Sequence, residues 1–187
     1  ITIYKAIFEK ETDAAKKQAA VNKISELYAG MIDCYKAKVI KVRDCDNDVC
    51  LNRKIGDIKA QQAYDMYYTL RTPYPEVLKV LGEMVSLSGN DALYTSFVPY
   101  ADIAVYQFLN KELSKEATRA IYQKLNEIAE FNISKNKRYG NYYKDALAYS
   151  NAKFLEIEDF IFDCEYFKEK LTPDYQKDPE NHELIKT

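Results

Sequence analysis

The chain has 187 residues, 47% of them apolar and 30% charged, with a net charge of −2. That length suits one domain with a real core, and the near-neutral charge supplies no global field for nucleic acid or an acidic membrane. Five glycines and five prolines are too few for a turn-rich sheet protein, and no apolar run approaches the ~18 residues of a membrane span.

Ile3, Ile7, Ala14, Val21, Ile24, Tyr28, Met31 and Tyr35 recur near one helical stripe, with Lys5, Glu9, Lys16, Lys17, Lys23 and Glu26 between them. The spacing predicts one long helix or two joined ones, bending at Gly30 and ending near Val42. An acidic turn follows from Asp44 to Cys50. A calcium loop needs glycine at its sixth position and glutamate at its twelfth. Counted from Asp44, those positions hold Val49 and Ile55, so the turn is read as an N-terminal cap for the next helix.

The second predicted helix runs from Asp48 to Leu70, with Leu51, Ile55, Ile58, Ala63, Met66 and Leu70 inward and Tyr64, Tyr67 and Tyr68 beside them. Thr72-Pro73-Tyr74-Pro75 breaks the chain, and Pro75 suits the start of a third helix reaching Leu87. That helix is apolar on most sides and is expected at the centre. A fourth segment spans Asp91 to Leu113, with Leu93, Phe97, Ala101, Ala104 and Phe108 in a stripe and a kink or restart at Pro99. The fifth, from Ser114, turns Ile121, Leu125, Ile128 and Phe131 inward. The sixth, from Asn141 to Leu171, sets Leu147, Phe154, Ile157, Ile161, Cys164 and Leu171 on one face and ends before Pro173. The expected fold is therefore all-α: one compact, disulfide-stapled bundle of six or seven helices over residues 1–172, with a loosely held polar tail at 173–187.

Four cysteines allow three pairings. Cys45 and Cys50 can close a small loop, leaving Cys34 to meet Cys164 and pin the last helix to the first. The alternative joins Cys34 to Cys50 and Cys45 to Cys164, and it requires the first helix to end early. We expect the first arrangement. An even cysteine count, and a chain that begins at Ile1 in the manner of a mature product after signal removal, indicate a secreted, extracellular protein. Asn132-Ile133-Ser134 is a glycosylation sequon.

His182 is the only histidine and falls in the expected tail, which removes Ser-His, Cys-His and HExxH arrangements. No Walker loop, GxSxG or GxGxxG is present, and only Cys45 and Cys50 have near-ligand spacing for zinc, with no CxxC or paired histidine to complete a site. Glu156, Glu158, Asp159, Asp163 and Glu165 read as a solvated helix face. No catalytic residue, cofactor or metal site is expected, and the protein is read as a non-enzyme. Two basic runs, Lys36 to Arg43 and Lys135 to Lys144, resemble small polyanion patches. The acidic remainder opposes binding to phosphate, so no nucleic acid is expected.

Tyrosine is the compositional outlier, with 17 copies and no tryptophan. Tyr64, Tyr67, Tyr68, Tyr94, Tyr100, Tyr106, Tyr122 and Tyr149 are spread over the second, fourth, fifth and sixth helices. Such rings pack as core with their hydroxyls at the rim, line a cavity for a small apolar or amphipathic ligand, or anchor a protein partner. Tyr64, Tyr67, Tyr68, Tyr94, Phe97, Tyr100 and Phe108 are the candidate pocket or partner surface.

Size, helical content and the Cys34, Cys45, Cys50, Cys164 set together resemble the small secreted helical proteins of blood-feeding insect saliva, of the mosquito neutrophil-stimulating type. The resemblance implies a salivary, host-directed effector with a role in immune modulation and no catalysis, and it transfers no functional residue. Three readings follow: a secreted non-enzymatic protein that binds a partner protein, a carrier with an aromatic-lined cavity, and a cytosolic helical interaction module.

Overall fold

The computed structural model describes residues 1–43, 45, 47–135, 139–164, 166–168, 172 and 176. The tail at 173–187, apart from Gln176, lies outside these, as do Leu171, Asp44 and Asp46 of the acidic turn, and Lys137 and Arg138 of the second basic run. The described residues form helices α1 (Thr2–Lys10), α2 (Ala14–Lys36), α3 (Asp48–Tyr64), α4 (Tyr74–Ser88), α5 (Phe97–Leu109), α6 (Lys115–Lys135), α7 (Gly140–Leu155) and the short α8 (Glu158–Ile161). A π-helical turn, Asp65–Thr69, continues α3, and two 3-10 turns, Gly89–Asp91 and Tyr94–Ser96, lead into α5. No strand occurs among the described residues, and no helix among them is long and apolar enough to cross a membrane.

The principal core lies between α3, α4, α5, α6 and α7, with Leu81, Met84, Phe97, Ile103, Leu125, Ile128 and Phe154 fully enclosed. A smaller cluster of Ile24, Tyr28 and Leu70 joins α2 to the end of α3, and Ile1, Tyr4 and Phe8 of α1 cover it. The crossing of α3 on α4 is close because Gly56 has no side chain. A Cβ there would lie 1.9 Å from the Ser88 Oγ and 3.4 Å from the Ser88 backbone nitrogen.

The opening segment is two helices folded into a hairpin. Glu11 is extended, and its carboxylate accepts the N–H groups of Thr12 and Asp13. Asp13 then caps α2 by accepting from the Lys16 N–H at 2.9 Å. The break resets the helical phase, so the inward residues are Ile1, which precedes α1, and Tyr4 and Phe8 within it, rather than the expected Ile3 and Ile7, which are 74% and 42% exposed. α2 ends at Lys36, short of Val42. Asn47 caps α3 as expected, accepting from the Cys50 N–H at 2.9 Å. Pro99 causes no kink, because the helix restarts at Phe97 and the proline falls in its first turn, where an N–H would lack a partner.

The sixth predicted helix is broken. α7 ends at Leu155 and α8 at Ile161. Arg119 of α6 donates from Nε to the Ile161 carbonyl at 2.7 Å, Lys115 pairs with Asp163, and Asp163 caps the next turn through the Tyr166 N–H. These bonds satisfy a helix end and dock the segment on α6, away from α1 and α2. The expected Cys34–Cys164 bridge is accordingly not formed. Cys34 and Cys164 are free thiols, the first half-buried and the second exposed, whereas the expected Cys45–Cys50 bond is made.

Candidate functional site

The π-helical turn at Asp65–Thr69 lodges an extra residue at the end of α3. Asp65 faces inward from it, while Tyr67 and Tyr68 point the other way, towards α5. The rings of Tyr64 and Tyr68 lie 4.5 Å apart, and Tyr68 meets Tyr67 edge-on at 4.8 Å. Tyr67 stacks on Tyr74 at 6.1 Å, and Tyr74 meets Tyr106 edge-on at 5.0 Å. The result is a continuous band of five rings contributed by α3, its π turn, α4 and α5.

Asp102, one turn before Tyr106 on α5, is the polar centre of the band. Its Oδ2 accepts the Tyr67 hydroxyl at 2.7 Å, and its Oδ1 accepts the Tyr149 hydroxyl, from α7, at 2.9 Å. Burial first, and then Asp102 itself, push the Tyr149 phenol up to about 12 and the Tyr67 phenol further. Both phenols stay protonated at neutral pH and act as fixed donors. Tyr64, Tyr106 and Tyr149 nevertheless present 42%, 52% and 41% of their surface to solvent. The rings and hydroxyls of this surface are therefore held in place before anything meets them.

The expected set divides. Tyr64, Tyr67 and Tyr68 belong to this band. Tyr94 lies in a separate group with Tyr142 and Tyr143, whose rings are 5.2 Å and 5.5 Å away. Tyr143 is buried there, donates to the Ala92 carbonyl at 2.9 Å, and has its phenol pushed up to about 12 by burial. Phe97 and Tyr100 are core residues, at 0% and 8% exposure. Phe108 lines an open apolar groove of about 500 Å³ with Leu109, Leu113 and Phe160. Asp102 and Tyr74 were absent from the expectation, and Tyr106 and Tyr149 were not placed in the candidate surface. Asp102 had a signal: it is the one charged residue of the apolar helix α5.

Asn132 is 4% exposed, and its Nδ2 donates to the carbonyls of Asn90 and Ile128. The sequon therefore lies on α6 with its amide nitrogen engaged and covered. In the folded chain this amide is not presented to solvent as an acceptor. Among the described residues no three His, Cys, Asp or Glu side chains converge as metal ligands. Comparison with known proteins found no matching family model, curated protein or solved structure.

Proposed function

We propose that this is a secreted, non-enzymatic helical binding protein that docks a protein partner on the tyrosine band around Asp102. The observation that carries the reading is the exposure of Tyr64, Tyr106 and Tyr149 on a base of mutually packed rings and pinned hydroxyls. Rings already held by neighbours lose little entropy on binding, and tyrosine is among the residues that dominate interface energetics. The Cys45–Cys50 bond supports an oxidising compartment. The host-directed salivary role implied by the chain's resemblance is one setting for such a protein.

The carrier reading rests on the Phe108–Phe160 groove, which is apolar and open. Binding to a panel of purified extracellular receptor and serum proteins separates the two. A partner bound by the wild-type chain should lose at least about tenfold in affinity when Tyr64, Tyr106 and Tyr149 are all replaced by alanine. Partners indifferent to the triple substitution would remove the tyrosine band from the account. A small apolar molecule seen on the chain by native mass spectrometry, and lost in Phe160→Ala, would favour the carrier.

A further inference from the structure

The tyrosine band holds a carboxylate, Asp102, that the phenols contact without neutralising. Among the described residues no Lys or Arg forms an ion pair with Asp102. Lys153 feels its field but gives its ammonium to Glu156 at 2.7 Å. The hydroxyls of Tyr67 and Tyr149 occupy one site on each carboxylate oxygen, and a carboxylate offers about four acceptor sites. Asp102 thus keeps acceptor capacity and a full charge on a half-buried surface, beside rings whose faces are electron-rich.

We propose, resting on the docking role above, that Asp102 with the rings of Tyr67, Tyr68, Tyr106 and Tyr149 receives an arginine side chain of the partner protein. A guanidinium matches the site on two counts: its fork of N–H groups suits a carboxylate, and its flat face stacks on aromatic rings. An ammonium is more strongly hydrated and lacks the flat face. An arginine carried by a protein brings its own cover, which excludes water from the pair and strengthens it.

The test is a 15N-NMR titration of the full chain with N-acetyl-arginine amide, set against the lysine and citrulline amides, citrulline being the neutral isostere. The arginine probe should produce saturable shifts at Asp102, Tyr106 and Tyr149, with the citrulline probe about tenfold weaker and the lysine probe about threefold weaker. Asp102→Asn should weaken the arginine probe about tenfold. Tyr106→Ala, which leaves the carboxylate and its two phenols in place, should weaken it about threefold, so the result does not hang on one variant. Citrulline or lysine binding as tightly as arginine overturns the assignment. So do arginine affinities unchanged in both variants, or no saturable shift on this face. A protein partner that is lost in the triple tyrosine variant but bound normally by Asp102→Asn leaves the docking role standing and removes the arginine. Arginine-dependent shifts at Asp102, without any tyrosine-dependent protein partner, do the reverse.

Discussion

Asp65 and Asp102 each accept a tyrosine hydroxyl at 2.7 Å, from Tyr28 and Tyr67 respectively. Asp65 is 0% exposed, and Lys5 of α1 reaches in to place its ammonium 2.7 Å from Oδ1, where Gln61 also donates. Asp102 is half-buried, is held by a second phenol, and pairs with no cation among the described residues. A buried charge must be paired within the chain, because no water reaches it. A half-buried one can wait for a partner. The same pair of residue types thus builds a buried joint between α1, α2 and the end of α3, and a half-buried carboxylate–phenol cluster between the π turn, α5 and α7.

Three measurements probe that contrast. Alkaline pH should have the largest effect, because it strikes both regions. Tyr28, Tyr67, Tyr143 and Tyr149 are raised above the ordinary phenol value of 10.0, by burial first and then by a neighbouring carboxylate. The folded chain favours their protonated forms, so the stabilisation is complete below pH ~10 and is lost as pH rises through the folded values. Unfolding by urea should show stability level to about pH 9 and falling steadily above ~10. Phenolate absorbance should show Tyr143 and Tyr149 ionising near 12, ahead of Tyr28. All tyrosines titrating together near 10 in the folded chain would erase the distinction.

The second measurement removes one member of the buried pair. Lys5→Met leaves Asp65 without its counter-ion and should cost about 3 kcal/mol, the lower end for such a loss because the Lys5 side chain is itself 26% exposed. A loss under about 1 kcal/mol in urea unfolding would mean that the joint is not electrostatic. The third and smallest effect compares matching hydroxyl deletions. Tyr28→Phe should cost about 2 kcal/mol, since it strips a buried carboxylate of a bond. Tyr149→Phe should stay within about 0.5 kcal/mol, since water can replace its hydroxyl. Equal costs would place both carboxylates in the same class.

The helices α3 to α6 were legible because their apolar spacing is helical and their boundaries carry Asn47, Pro75 and Ser114. The last helix was not, because Phe154, Ile157 and Ile161 keep helical spacing across a break made by bonds from Arg119 and Lys115 on another helix. The first hairpin was read as one stripe for a similar reason: a stop at Glu11 shifts the phase but leaves the residue pattern plausible in either register. The candidate surface was half legible. Tyr64, Tyr67 and Tyr68 stand out by spacing alone. Tyr74 follows soon after but across the break at Pro73, while Asp102 and Tyr149 are remote in sequence, and all three meet the first tyrosines only through packing.

Local chemistry was enough to determine the all-helical class, the core-facing residues of the middle helices, the cap at Asn47 and the small Cys45–Cys50 loop. Each depends on residues within a few positions of one another, where spacing and capping act directly. Tertiary structure decided which tyrosines form one surface, which aspartate finds a cation, and that Cys164 stays apart from Cys34. Those outcomes depend on how α5 and α7 meet α3 and on where α6 ends the last helix. Contacts of that kind are chosen by the shape and polarity of whole faces, which no short stretch of sequence contains.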